Sequence, residues 1–325
     1  MCFIIVFNKI EKMPTVKRDY SNEELEKWLD RDFTSVFRSG YVNVKGVTMP
    51  RRFEELQSDI FNWNVSERDV WICSFPKTGT TWTQEMVWMI MNNLDIIKGQ
   101  ENLGIRSPFL EVTALFDYRK FQKENTDFQP PPFIEDSLKF VREKSQKGSL
   151  CLKTHLPWVL LPQEIQNNTK QPKVGNFYTP FLGVKLLKIV NNSEILVTFA
   201  PYWNHVLPFW EKRNQPNILF LKYEKMIQDL PSIIKEVADF LETPLTPEQI
   251  TTLSDHLSFE SMKKNPAVNY EMIVSLNRKF KLIECDGTFM RSGKVGDYKA
   301  KMSPEIIQAF DEWTAENVQG TDFSF

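Results

Sequence analysis

The chain has 325 residues, 42% hydrophobic and 25% charged, which is enough apolar sequence for a sizeable buried core. Its 40 basic and 42 acidic residues leave a formal net charge of −2 spread along the whole length, which argues against a broad basic face for nucleic acid. Cys2, Cys73, Cys151 and Cys285 form no C-x-x-C pair, and His155, His205 and His256 form no H-E-x-x-H spacing, so no resident metal or disulfide framework is expected.

The N-terminal run Cys2-Phe3-Ile4-Ile5-Val6-Phe7 has no basic residue before it and is shorter than the ~7–15 residues of a secretory core. Residues 1–20 therefore read as a tail and 21–325 as one domain. No apolar run approaches the ~18–20 residues that span a bilayer, so a cytoplasmic protein without a membrane partner is expected.

Val70-Trp71-Ile72-Cys73-Ser74-Phe75 is a β-type run that leads into Ser74-Phe75-Pro76-Lys77-Thr78-Gly79-Thr80-Thr81-Trp82. Pro76 turns the chain, Gly79 lets the backbone pass close to an anion, and a helix starts near Thr80. Amides at a helix start point at whatever binds there, and the helix dipole favours negative charge. Lys77 adds a point charge, and the hydroxyls of Thr78, Thr80 and Thr81 add donors. The lysine precedes the glycine, whereas in nucleoside-triphosphate loops it follows, so an ATP-dependent kinase is disfavoured.

Thr81 to Asn93 carries apolar residues at Trp82, Met86, Met89 and Ile90, a helical period. Pro130-Pro131-Pro132 marks a loop. Leu150-Cys151-Leu152-Lys153-Thr154-His155 and Ile218-Leu219-Phe220-Leu221-Lys222-Tyr223 are further near-continuous apolar runs ending in polar residues. Such runs separated by helical segments predict an α/β fold: a central parallel sheet flanked by helices, with a P-loop-like phosphate-binding loop. The site of such a sheet lies at the carboxyl ends of its strands. Thr246-Pro247-Glu248-Gln249 reads as a capping box, and Ser303-Pro304-Glu305 opens a last helix carrying Ile306, Phe310 and Trp313.

The loop resembles the P-K-[ST]-G-T-T-W signature of the cytosolic sulfotransferases, which holds the 5′-phosphosulfate of 3′-phosphoadenosine 5′-phosphosulfate (PAPS). Two more stretches share the resemblance. Lys153-Thr154-His155-Leu156-Pro157 is similar to K-[ST]-H-L-P, and Phe289-Met290-Arg291-Ser292-Gly293-Lys294-Val295-Gly296-Asp297-Tyr298-Lys299 to F-M-R-K-G-x-x-G-D-W-K. The resemblance implies PAPS as co-substrate, no metal, and a small apolar alcohol, phenol or steroid-like hydroxyl acceptor. It makes His155 the general base, has Lys153 balance charge on the sulfuryl oxygens, and has Lys77 balance charge on the departing phosphate oxygen. Lys77, Thr78, Gly79, Thr80 and Thr81 would cradle the nucleotide's 5′ end, with Trp82, Tyr223 and Phe259 beside the adenine. Arg291, Ser292 and Gly293 would clasp its 3′-phosphate, Ser292 replacing a lysine. Phe109 and Trp158 would line the acceptor pocket.

The chain's largest departure from the family lies in one segment. No R-N-P-K-D occurs, and the segment from Val174 to Phe199 falls short of the family's by on the order of 25–30 residues, the size of one βα unit. A strand and helix are therefore expected to be missing, leaving neighbouring strands with unpaired backbone groups, unless Ile195-Leu196-Val197-Thr198-Phe199 supplies a substitute strand. The lost arginine and serine contacts to the 3′-phosphate open a second reading, a member with impaired catalysis that binds a small apolar ligand. The K-x-x-x-T-V dimer motif is also unmatched, since Ser303-Pro304 stand at that spacing after Lys299; homodimerisation stays open.

Overall fold

A computed structural model describes residues 34–178, 189–190, 193–194, 198–283, 288–290 and 302–323. Strands β1 (Tyr41–Val44) and β2 (Val47–Pro50) form an antiparallel ribbon. Its turn places Lys45 and Gly46 at φ 51° and 82°, the left-handed pair that matches the twist of a tight hairpin.

Strand β3 (Val70–Ser74) is buried at every position because it is the second of four parallel strands covered on both faces. On one side it pairs with β4 (Cys151–Thr154), Val70 opposite Cys151. On the other it pairs with β5 (Lys173–Tyr178), and β5 pairs in turn with a further parallel strand, Ile218–Lys222. Between these lies a two-residue ribbon of β6 (Ile189–Val190) and β7 (Ser193–Glu194), which makes Ile218–Lys222 strand β8 and the sheet order β4-β3-β5-β8. All three strands read from the apolar runs are present.

The expected gap in the sheet does not occur. Lys173–Tyr178 fills the place between β3 and β8 with hydrogen-bonded pairing on both sides, so the neighbouring strands keep their partners. Thr198 and Phe199, the described end of the candidate substitute strand, form a turn, and residues 195–197 lie outside the described residues.

Alternate residues along each strand feed two core layers. Trp71, Cys73, Leu152, Val174 and Ile218 pack with the helix Tyr202–Glu211 and with Trp313 of the last helix, Pro304–Val318. Val70, Ile72, Cys151 and Leu221 pack on the other face with Met86, Val87 and Ile90 of the helix Thr80–Met91 and with Ile233 and Val237 of Leu230–Phe240. Both predicted caps form: Thr246 and Gln249 exchange side-chain bonds to backbone, and the Ser303 hydroxyl accepts from Ile306 N. Because the strands are parallel, Ser74, Thr154 and Lys222 all face one end of the sheet, where the chemistry-bearing residues gather.

Candidate active site

The chain leaves β3 at Ser74 and re-enters helix at Thr80, and the turn between them is held in an unusual backbone conformation. Lys77 has φ 72° and Gly79 φ 94°, both left-handed. A lysine held there costs of order 1–3 kcal/mol, strain that persists only where the surroundings impose the shape. They do so here. Thr78 Oγ1 donates to the Phe75 carbonyl at 2.8 Å, and the buried hydroxyls of Ser74 and Thr80 lie 2.6 Å apart. A Cβ at Gly79 would stand 2.6 Å from the Tyr223 ring, so glycine is required for both torsion and space. The loop therefore ends at the start of a 12-residue helix, whose Thr80 and Thr81 amides precede its first backbone bonds, from Trp82 N and Thr83 N to the Gly79 carbonyl; with a lysine beside them they form a concavity suited to phosphate.

His155 follows β4 directly and is 6% exposed. Its Nδ1 lies 2.6 Å from the Ser74 carbonyl oxygen, which can only accept, so the hydrogen sits on Nδ1 and Nε2 carries the lone pair. Burial and the neighbouring Lys153 charge hold the imidazole well below its ordinary pKa, against the opposing Ser74 carbonyl. The ring is therefore neutral and its tautomer fixed, as a general base requires. Phe109 and Phe199 stand edge-on to it, with ring centroids 4.9 and 5.5 Å away.

Phe109 reaches the site because residues 108–110 extend the sheet at its β4 edge: Lys153 N donates to the Pro108 carbonyl and Leu110 N to the Lys153 carbonyl, both at 2.9 Å. The Lys153 ammonium lies 4.4 Å above the Phe109 ring. Burial pushes its pKa down to about 8; Glu111 opposes that shift and Lys77 adds to it. Lys77 stands at a matching position 4.8 Å above Phe289. Two cations and one neutral base thus share the carboxyl ends of β3 and β4.

Glu111, which sequence reading passed over, organises this end of the sheet. Fully buried, it accepts from Thr154 Oγ1 at 2.9 Å and from His155 N at 2.6 Å, and burial raises its pKa to about 7. It stands 44 residues from His155 in sequence, so no local spacing announces the pair.

Other expected residues are placed as follows. Trp82 and Tyr223 meet edge to face at 5.7 Å beside the loop. Phe259 is half-buried and opens a short helix, Phe259–Lys264. Trp158 packs on Phe209 and Lys212 in the core. Arg291, Ser292 and Gly293 lie outside the described residues.

Comparison with known proteins gives a family to this geometry: the sulfotransferase domain matches residues 67–172 and 183–322. The chain belongs to the sulfotransferase family. It is 34% identical to the luciferin sulfotransferase of Photinus pyralis over 338 aligned positions, covering 95% of this chain and 88% of that one. It is 27% identical to Sulfotransferase 1E1 of Mus musculus, covering 86% of this chain and 94% of that one. Among solved structures, retinol dehydratase bound to androsterone and the inactive cofactor PAP superposes with a TM-score of 0.78 at 28% identity, covering 94% of this chain and 96% of that one. The same enzyme with retinol and PAP gives 0.77 at 27% identity, covering 95% and 98%.

The sulfotransferase match pauses at residues 173–182, and β5 lies inside that pause. It resumes at 183, inside the Val174 to Phe199 segment where the chain departs from the family's pattern. Strand pairing is thus kept where residue identity departs. Among the described residues no helix is long and apolar enough to cross a membrane.

Proposed function

We propose that this chain transfers the sulfuryl group of PAPS to the hydroxyl of a small, largely apolar alcohol, phenol or steroid-like acceptor. The observation that carries the reading is the convergence of a strained phosphate cradle, two lysines and a neutral histidine with its Nε2 lone pair unprotonated at the ends of β3 and β4. The cradle fits a nucleotide phosphate: Gly79 is pressed against Tyr223, and the Thr80 and Thr81 amides stand ahead of the first backbone bonds of the Thr80–Met91 helix. PAPS supplies an activated sulfuryl group on its 5′-phosphate.

In this reading His155 Nε2 takes the acceptor hydroxyl proton as the oxygen bonds to sulfur, and the bond from sulfur to the phosphate oxygen breaks in line. Lys153 balances the sulfuryl oxygens, and Lys77 the charge that grows on the departing phosphate. Trp82, Tyr223 and Phe259 flank the adenine, and Arg291, Ser292 and Gly293 hold the 3′-phosphate. Phe109 and Trp158 give the acceptor apolar walls. The relatives support this choice of acceptor: one is named for luciferin, and another was solved with retinol and with androsterone.

The test is mass-spectrometric detection of a sulfated product, with stoichiometric release of 3′-phosphoadenosine 5′-phosphate (PAP), from PAPS and a panel of phenols, sterols and retinoid alcohols. Product that disappears in His155→Ala supports the proposal. PAP binding without product from any acceptor moves the chain to the ligand-binding reading.

A further inference from the structure

Three groups grip His155, and only one of them touches its ring. Ser74 takes the Nδ1 hydrogen, Glu111 accepts from the backbone N–H, and His205 Nε2 lies 3.1 Å from the His155 carbonyl oxygen. That carbonyl can only accept, so His205 carries its hydrogen on Nε2. Its Nδ1 has no hydrogen-bond partner among the described residues. His205 is wholly buried in the Tyr202–Glu211 helix, and burial pushes its pKa down to about 4, so it is neutral. Its ring stands edge-on to Phe75, the residue that opens the phosphate loop, at 5.6 Å, and tilts against Phe209 at 5.7 Å.

An apolar side chain here would pack against the same two phenylalanines without an unsatisfied nitrogen, so packing alone does not account for histidine. What histidine adds is the donor. The His155 peptide links β4 to the Leu156-Pro157 segment, and a carbonyl free to rotate there would loosen the ring from Ser74.

We propose that His205 is a positioning residue for the base: by donating to the His155 carbonyl while packing on Phe75, it fixes His155 relative to the phosphate loop. The inference rests on the sulfuryl-transfer reading of the site and adds to it a residue that touches neither substrate.

Nitrogen-15 NMR of the imidazoles tests it, in a chain with only 3 histidines. In wild type, His155 is expected as a single Nδ1–H tautomer and His205 as a single Nε2–H tautomer. In His205→Leu, His155 is expected to average between tautomers, and kcat to fall by about 10- to 100-fold while PAP affinity is unchanged. His205→Gln, which keeps a donor, is expected to restore the single tautomer and most of kcat. An unchanged His155 spectrum in His205→Leu, or a Gln variant as slow as the Leu variant, overturns the proposal. Should His205→Leu fail to fold, the wild-type spectrum decides, because a hydrogen on His205 Nδ1 contradicts the assigned bond. The spectra do not depend on turnover, so a chain with the expected tautomers but no transfer refutes the sulfotransferase reading and leaves the clamp standing.

Discussion

The two strands that flank β3 end very differently. At the end of β4 the polar groups are satisfied from several elements: Thr154 and His155 bond to Glu111, His155 bonds to Ser74, and His205 bonds to His155. Along β5, which is buried just as deeply, both amide atoms of Asn176 and the Tyr178 hydroxyl find no hydrogen-bond partner among the described residues. The first end lies inside the sulfotransferase match and the second in its pause. A buried polar group that goes unpaired costs roughly 1–3 kcal/mol, so β5 keeps its place through strand pairing and apolar packing while carrying a local penalty. The difference separates a strand end organised for chemistry from one that only completes the sheet.

The largest effect that would sharpen this comparison is at the β4 end. His155→Ala is expected to lower kcat by about 100- to 10,000-fold, the contribution of a positioned general base, with little change in melting temperature. A variant that keeps near-normal turnover would place the base elsewhere. Next is Gly79→Ala, where a side chain meets the Tyr223 ring in a left-handed backbone. It is expected to cost roughly 1–3 kcal/mol in denaturant unfolding and to weaken PAP binding.

Glu111 offers a test by pH. The folded chain holds its proton more tightly than the unfolded chain does, with a pKa of about 7 against an ordinary 4.5. Its contribution to stability is therefore full below about 4.5 and is lost as the pH rises toward 7, at up to about 1.4 kcal/mol per pH unit. Glu111→Gln should flatten that slope in urea unfolding between those pH values. Lys153 acts in a separate window: lowered to about 8, it adds stability as the pH rises above that value. The smallest effect belongs to β5, where Asn176→Val is expected to raise stability by about 1 kcal/mol and the melting temperature by a few degrees, with unchanged kcat. A loss of stability there would show that Asn176 has a partner after all.

Much of the site was legible because its signals are local. Val70–Ser74, Cys151–Thr154 and Ile218–Lys222 read as strands because burial on both faces demands continuous apolar sequence, and the loop announces itself through Pro76, Lys77 and Gly79 in a row. β5 was not legible. Its Gly175 and Asn176 are poor strand formers, and pairing on both sides overrides that preference, so the absence of R-N-P-K-D does not carry with it the absence of a strand. Glu111 was missed for a different reason: its role comes from a fold that brings residues 44 apart in sequence into one hydrogen bond.

The account stands most directly on the cradle between β3 and its helix, and calorimetric titration of PAP into the wild-type chain and Lys77→Ala measures it. The account predicts saturable binding by wild type, weakened about 10- to 100-fold in Lys77→Ala by loss of a charge-assisted contact. Equal affinity in the two proteins, or no binding by wild type, would contradict it.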